Sequence, residues 1–190
     1  MIIGITGTLG AGKGTVVDYL VREKGFKHFS VRDFLNEEIA RRGVVSNRDS
    51  MITVANDLRA THGPGYIAEQ LFSRALEYGK DAVIESLRSL GEAQHLKEHG
   101  GVMWAVDAEV KKRYERISQR MSETDRVSFE KFKSDEQREF ANTDPTKPNL
   151  SGVIGLSDVV FRNDGTVEDL AVQVEQALTG DIRYSANTNV

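Results

Sequence analysis

A glycine-rich run near the start of the chain contains the residue types that bind phosphate. Its order is Gly7-Thr8-Leu9-Gly10-Ala11-Gly12-Lys13-Gly14-Thr15. Glycines let the backbone curl so that successive N–H groups point at phosphate oxygens, and a helix N-terminus adds positive potential there. Lys13 would reach the terminal phosphates of a ligand as a point charge. The run therefore predicts a phosphate-binding loop made of Gly7, Gly10, Ala11, Gly12, Lys13, Gly14 and Thr15.

The residues on either side of this run favour the prediction. An apolar stretch over residues 1–6 is typical of a buried strand, and apolar residues at helical spacing begin at Val16. A strand, a glycine loop and a helix in this order distinguish a phosphate-binding loop from a Gly-rich turn that merely caps a helix. The strict pattern has Ser or Thr directly after the lysine, whereas here Gly14 precedes Thr15. This departure leaves it open whether Thr15 binds magnesium directly.

The order G-x-x-G-x-G-K-G-T resembles the nucleoside monophosphate kinases, such as adenylate kinase. The longer phrase that begins at Gly4-Ile5-Thr6-Gly7 also resembles dephospho-CoA kinase. Both families have the P-loop kinase fold and transfer the terminal phosphoryl group of ATP to a nucleotide-like acceptor. The resemblance implies ATP and Mg²⁺ as cofactors and a small-molecule, nucleotide-like acceptor as the partner.

Length and composition agree with this class of protein. A chain of 190 residues is long enough for one domain with a full hydrophobic core. Its net charge of −4 argues against a nucleic-acid-binding protein, and no apolar stretch has the length of a membrane span. The absence of cysteine excludes a disulfide framework and suits a cytoplasmic protein, which is the expected location.

Strand and helix patterns alternate along the chain, which predicts an α/β fold with helices on both faces of a five-stranded parallel sheet. One domain is expected over residues 1–180, with an acceptor-binding helical insertion at about 31–80, a lid at about 110–150 and a loose tail at 181–190. The polar stretch 142–152 is predicted to be a loop. Strands are predicted at residues 1–6, 26–29, 82–84, 102–106 and 159–161.

Charged residues just after the strands are candidates for the site, because ligands of open parallel sheets bind at the carboxyl ends of the strands. Ser30-Val31-Arg32-Asp33 follows the second strand and resembles the turn that introduces the acceptor-binding helices of nucleotide kinases. Asp33 is therefore a candidate catalytic carboxylate. Ser30 and Asp33 also have capping-box spacing, so a helix start explains them equally well.

Glu85-Ser86-Leu87-Arg88 follows the third strand. In the nucleotide kinases that the chain resembles, this strand end has an Asp near magnesium, followed by an Arg that binds the acceptor's phosphate. The resemblance implies that Glu85 lies near the metal, together with Thr15, and that Arg88 is catalytic. An arginine held at a strand end can form a bidentate clamp on a phosphate.

Residues 111–138 contain nine lysines and arginines and six acidic residues, although the whole chain is acidic. In the resembled families this region is the lid, whose arginines close over the transferring phosphoryl group. Arg116, Arg120 and Arg126 are the candidates for that role. A solvated helix with mixed charges would show the same pattern.

Asp164 and Gly165 lie in a turn that resembles the adenine-side loop of these kinases, where contacts are mostly made by the backbone. The phrase from Ile84 to Ser89, together with Asp164-Gly165-Thr166, also resembles a poorly characterised group of archaeal and bacterial P-loop kinase-like proteins. The leading hypothesis is an ATP-dependent nucleoside monophosphate kinase. Dephospho-CoA kinase and a nucleotide-binding regulatory protein without transfer activity are the alternatives.

Overall fold

Uninterrupted apolar runs at residues 82–84, 102–106 and 159–161 form strands, because a strand covered on both faces buries the side chains of both faces. The strand at residues 27–30 has no such run and lies at the edge of the sheet. The computed structural model describes residues 1–119 and 127–180. The strands in these ranges are β1 (Ile2–Gly7), β2 (Lys27–Ser30), β3 (Ala82–Glu85), β4 (Val102–Asp107) and β5 (Val159–Arg162). The helices there are α1 (Lys13–Lys24), α2 (Val31–Arg41), α3 (Arg48–His62), α4 (Tyr66–Tyr78), α5 (Leu90–Glu98), α6 (Val110–Gln119), α7 (Phe129–Phe140), α8 (Leu150–Gly155) and α9 (Val167–Thr179).

The predicted α/β fold is confirmed. The five strands of the described chain form one sheet in the order β2-β3-β1-β4-β5, and each neighbouring pair is parallel. Ile5 pairs in register with Glu85, Gly7 with Val106, and Asp107 with Arg162. The carboxyl ends of all five strands therefore meet at one edge, with the end of β1 in the middle.

Each face of the sheet has its own core. Ile84 and Met103 pack beneath the helices α2 to α5 and α8, whereas Ile5, Val83 and Trp104 pack beneath α1 and α9. Consecutive residues of β3 thus point to opposite faces, as the two-residue period of a strand requires.

The predicted loop at 142–152 is wrong at its end, because α8 begins at Leu150. The side chain of Asn149 accepts a hydrogen bond from the N–H of Gly152 and starts the helix. A helix of only six residues between a polar stretch and a strand gives too little periodicity to be recognised. The predicted tail at 181–190 lies outside the described residues. Within the described ranges, none of the helices combines the length and apolar character needed to cross a membrane.

The glycine loop between β1 and α1 is shaped by close contact with the turn after β5. Gly12 has a φ of 102° and ends the loop just before α1. A Cβ atom at this position would lie 2.2 Å from Nδ2 of Asn163. That same Nδ2 donates a buried hydrogen bond of 2.7 Å to the carbonyl of Ala11. Only glycine fits here, because both the backbone angle and the contact exclude a side chain.

A buried ion pair fastens α3, one of the three helices between β2 and β3, to the start of α5. Arg59 of α3 donates from Nε and Nη2 to Oε1 of Glu92, at 2.9 and 2.7 Å. Oε2 of Glu92 accepts from the backbone N–H groups of Arg88 and Ser89. Both side chains of the pair are almost fully buried. A buried carboxylate needs such partners, because an unpaired buried charge is very costly.

Alanine at two neighbouring glycines should change stability in opposite directions. We expect Gly12→Ala to cost at least about 1–2 kcal/mol, because the residue is left-handed and its Cβ would displace Asn163. Gly14 lies in the first turn of α1 with no atom within 4 Å of a Cβ. Gly14→Ala should raise stability by about 0.5–1 kcal/mol, since alanine loses less backbone entropy in a helix. Calorimetric melting of both variants measures this, and a lower melting temperature for Gly14→Ala would contradict the expected geometry.

Loss of the buried cation should be strongly destabilising. We expect Arg59→Met to lower the free energy of unfolding by about 3–5 kcal/mol, because Glu92 is left as an uncompensated buried charge. Urea denaturation followed by circular dichroism measures the change. The control is Arg41→Met, which removes an exposed arginine that pairs with Glu38 on the surface of α2 and should change stability little. Equal effects of the two substitutions would show that the buried pair does not anchor α3.

Candidate active site

Lys13 lies across the mouth of the glycine loop. Its Nζ donates to the carbonyl oxygens of Gly7 and Thr8, at 2.8 and 2.9 Å. The residue is also the first of α1, so its ammonium group and the positive end of the helix are directed at the same space. The loop therefore has the cation, the helix N-terminus and the glycines that an anionic ligand requires.

Glu85 lies at the end of β3, beside this loop. Its Oε2 is 3.1 Å from Nε2 of His28 on β2. The hydrogen bond to His28, opposed by burial and assisted by the charges of Lys13 and Arg32, lowers the pKa of the Glu85 carboxyl. Glu85 is therefore held as a carboxylate at the edge of the sheet where the glycine loop ends.

The chain turns sharply after Glu85 at a residue that is not glycine. Ser86 has a φ of 75°, and the N–H groups of Ser86 and Leu87 both donate to the carbonyl of Ile5. A left-handed backbone costs a non-glycine residue about 1–2 kcal/mol. Such strain is concentrated at functional sites in proteins. The turn keeps Glu85 and Arg88 at the same edge of the sheet.

Arg88 has a fixed backbone and a partly exposed side chain. Its N–H donates to Oε2 of Glu92 at 2.7 Å, and its carbonyl accepts from the N–H of Asn149 at 2.9 Å. Its guanidinium group is paired with the carboxylate of Glu139 on α7. The arginine predicted to bind the acceptor's phosphate is therefore held by a carboxylate.

The other side of the loop is held by Arg113, a residue of α6 that is buried. Its Nε donates to the carbonyl of Ala108 at 2.8 Å, and Nη1 donates to the carbonyl of Leu9 in the glycine loop at 3.3 Å. The guanidinium group also pairs with Glu136 of α7. Arg113 thus joins the loop, α6 and α7, which makes it a structural residue.

A pocket of about 310 Å³ opens beside the helical end of the glycine loop. It is lined by Gly12, Thr15, Arg116, Gln119, Asn163, Gly165 and Val167. This volume is at the lower end of the range for small-molecule sites. Two parts of the predicted cofactor site, the glycine loop and the turn at Gly165, therefore meet at one pocket.

Arg116 lies in this pocket, close to the turn after β5. Its Nη2 donates to the carbonyl of Asn163 at 2.8 Å. Its Nη1 is buried and has no hydrogen-bond partner among the described residues. A buried donor without a partner is unfavourable, so an acceptor atom of a ligand in the pocket would stabilise it. The predicted role of Arg116 at the transferring phosphoryl group stays a prediction, and its position favours contact with the donor nucleotide.

Asp164 has a structural partner. Its Oδ1 accepts from the backbone N–H of Glu109 at 2.7 Å, and this bond is the main reason that the pKa of Asp164 is lowered. The side chain therefore ties the turn after β5 to the segment before α6. A contact with a ligand would fall to the neighbouring backbone, as the resemblance implies.

Asp33 lies in the first turn of α2, whose N-cap is Ser30. Its N–H donates to Oγ of Ser30 at 3.3 Å, so one half of the predicted capping box is present, whereas the Asp33 carboxylate accepts no bond from the N–H of Ser30. The carboxylate is exposed and makes no hydrogen bond or ion pair with the described chain. Arg120 and Arg126, the other predicted lid residues, lie outside the described residues.

Two oxygen groups suit a magnesium ion bound together with a nucleotide. Mg²⁺ usually keeps several waters and takes one or two protein ligands beside substrate phosphates. Glu85 at the end of β3 and the hydroxyl of Thr15, which lines the pocket beside Gly12, are oxygen groups of the kind that Mg²⁺ takes, and their binding of one ion stays a prediction. Residues 1–119 and 127–180 contain no cluster of three or more His, Asp or Glu side chains that could hold a metal by themselves.

Several residues of the site escape sequence reasoning. The histidines show no metal-ligand spacing, so nothing in the sequence points to His28 as the partner of Glu85. The capping-box spacing of Ser89 and Glu92 is visible, but Arg59 lies 33 residues away from Glu92. Glu139 belongs to a mixed-charge helix in which no acid stands out. Only the distances between elements reveal these contacts.

Comparison with known sequences relates the chain to two protein families. A family model described as an AAA domain matches residues 3–140. A UPF0200 protein from Thermococcus sibiricus is 31% identical over 93% of this chain and 93% of its own length. A UPF0200 protein from Methanococcus maripaludis is 28% identical over 96% of this chain and 98% of its own length.

Solved structures share the fold at low identity. TT1252 from Thermus thermophilus covers 96% of this chain and 97% of its own, with a TM-score of 0.65 and 19% identity. Shikimate kinase from Acinetobacter baumannii, in complex with shikimate, covers 95% and 93%, with a TM-score of 0.59 and 16% identity. A sugar kinase from Janibacter sp. covers 99% and 98%, with a TM-score of 0.54 and 18% identity. The expected P-loop kinase fold is confirmed, and the chain belongs to the AAA domain family and to the UPF0200 family.

Proposed function

We propose that this protein is an ATP-dependent kinase that transfers the γ-phosphoryl group to a nucleoside monophosphate. The observation that carries the proposal is the pair of cationic positions at adjacent strand ends. Lys13 lies over the loop after β1, and Arg88 follows the neighbouring strand β3. Transfer between two anions requires such cations, because they bring phosphates together against their repulsion.

The donor nucleotide fits the pocket beside the loop. A nucleoside lying between Arg116 and the turn at Gly165 would direct its phosphates toward the loop N–H groups and Lys13. The unpaired Nη1 of Arg116 supports a ligand with acceptor atoms at this position. On this arrangement Arg116 binds the donor, and the loop binds its β- and γ-phosphates.

The acceptor would bind on the other side of the loop, near β2 and β3. Arg88 presents a planar fork that suits a phosphate monoester. A monophosphate is substantially ionised at neutral pH, so it needs orientation more than a general base. Glu85 and Thr15 would hold Mg²⁺, which neutralises charge on the donor phosphates when it is bound.

A hydroxyl-phosphorylating activity, as in dephospho-CoA kinase, is the second candidate. The carboxylate of Asp33 favours it, because it is exposed and unpaired within the described residues and a neutral hydroxyl gains from a base within hydrogen-bond reach. A third candidate, a nucleotide-binding regulator without transfer activity, is suggested by two departures from the kinase patterns, at Gly14 and Glu85. ATP would then raise the melting temperature while no acceptor releases ADP.

Lys13→Ala should abolish transfer. We expect the rate to fall by at least about 10²–10³, because a prepositioned charge facing the transferring phosphoryl group is lost. A screen of nucleoside monophosphates and dephospho-CoA, with ADP release as the readout, identifies the acceptor for this measurement. Lys24→Ala is the control, since it removes the same charge from the far end of α1. A Lys13→Ala variant that keeps most of the wild-type rate would refute the proposed donor site.

Arg88 and Asp33 distinguish the two kinase activities. For a monophosphate acceptor we expect Arg88→Ala to raise the acceptor's KM and slow transfer, whereas Asp33→Asn lowers kcat only modestly. A hydroxyl acceptor would reverse this order, because a general base contributes about 10²–10⁴-fold. Steady-state kinetics of both variants with the acceptor found in the screen decide between them. If the Asp33→Asn variant is inactive while the Arg88→Ala variant is only mildly impaired, the hydroxyl-phosphorylating activity is favoured.

A further inference from the structure

Two glutamates of α7 each hold an arginine from a different side of the site. Glu136 pairs with Arg113 of α6, and Glu139 pairs with Arg88 after β3. Residues three positions apart lie on one face of a helix. This acidic face of α7 therefore spans the edge of the sheet from the donor side to the acceptor side.

The two ion pairs differ in burial. The side chains of Arg113 and Glu136 are only 7% and 15% exposed, and Arg113 also donates to two carbonyls and lies 5.7 Å from the ring of Phe132. Arg88 and Glu139 are 34% and 25% exposed, and the guanidinium group of Arg88 has no other protein partner in the described chain. Breaking the first pair would leave a buried charge, whereas the second can exchange its partner in contact with water.

Arg88 can exchange that partner without moving its backbone. Its N–H and carbonyl are held by Glu92 and Asn149, so the backbone from which the side chain extends stays at the edge of the sheet. A ligand that replaces Glu139 would find the arginine already in place. This preorganisation lowers the cost of binding.

We propose that Glu139 is a specificity-determining residue, which occupies the anion position of Arg88 until a phosphate-bearing acceptor displaces it. The proposal rests on the proposed function in one respect, the assignment of Arg88 to the acceptor. It deepens that function by requiring the acceptor to present a phosphate group to Arg88. A neutral acceptor has no charge with which to compete, so Arg88 remains paired with Glu139.

A phosphate can displace Glu139 from Arg88 because it carries more negative charge than a carboxylate. A phosphate monoester carries a charge of about −1.5 to −2 and three acceptor oxygens, against the single charge of a carboxylate. Once the phosphate is bound, Glu139 lies beside a like charge and is repelled. The Glu139 side chain then leaves Arg88, while the buried pair of Glu136 and Arg113 continues to hold α7.

Removal of the competing charge should strengthen phosphate binding. We expect Glu139→Gln to lower the Kd of a nucleoside monophosphate by about three- to tenfold, since Arg88 no longer has to leave a partner. Calorimetric titrations use AMP, CMP, GMP and UMP, with the donor site saturated by a non-hydrolysable ATP analogue. The corresponding nucleosides, which have no phosphate, should bind equally to both proteins. In Arg88→Ala the same change at Glu139 should have no effect.

A direct readout does not depend on catalysis. Phenylglyoxal modifies free guanidinium groups, and mass spectrometry measures its rate at Arg88. We expect Glu139→Gln to accelerate modification of Arg88 and the tightest-binding monophosphate to protect it. Glu130→Gln is the control, because it removes the same charge from the same helix at a side chain that is 80% exposed. It should change neither affinity nor reactivity.

The outcomes separate this inference from the proposed function. The inference is wrong if Glu139→Gln behaves like Glu130→Gln in both assays. It is also wrong if Glu139→Gln strengthens the binding of nucleosides as much as the binding of monophosphates, even where phosphoryl transfer is robust. If phosphate affinity rises as expected while no acceptor yields ADP, the transfer activity is wrong and the anion site at Arg88 stands.

Discussion

The buried carboxylate of Glu92 joins α3 to the turn that precedes α5, two parts of the molecule that are distant in the chain. It accepts two hydrogen bonds from Arg59 of α3 and one each from the N–H groups of Arg88 and Ser89. A carboxylate in this position needs all of its partners, because burial removes the water that would otherwise solvate it. The start of α5, the docking of α3 and the backbone of Arg88 therefore depend on one side chain.

The order of the strands determines what this anchoring achieves. β1 lies between β3 and β4, so the glycine loop at its end has β3 on one side and β4 on the other. Glu85 ends β3 and Arg88 follows it, whereas the pocket of Arg116 is lined by Gly12 and Thr15 after β1 and by residues after β4 and β5. In the proposed function these are the acceptor side and the donor side of the sheet, and Lys13 lies between them.

The basic segment of the chain is organised by acidic partners. Its local positive charge is compatible with either a closing lid or a solvated helix. Arg113 has neither a lid arginine's freedom to move nor a solvated side chain, because it is buried against Glu136 and the glycine loop. Glu139, from the same helix as Glu136, reaches across to Arg88. The acids of α7 thus hold one arginine that is buried, Arg113, and one that is partly exposed, Arg88.

The sequence by itself determined the class of fold and the position of the phosphate loop. Both follow from local patterns, since the buried strands are short apolar runs and the loop needs glycines next to a lysine and a helix start. Arg88 and Asp33 could also be found as charged residues after strands, because parallel strands place such residues at one edge. These inferences need only neighbouring residues.

Only the tertiary structure decided which side chains meet. Arg59 and Glu92 are 33 residues apart, and Arg88 and Glu139 are 51 apart, so no local pattern connects them. The left-handed turn at Ser86 and the pairing of His28 with Glu85 likewise depend on how β2, β3 and β1 align. A charged side chain chooses its partner by distance and burial, and neither exists until the helices have packed against the sheet.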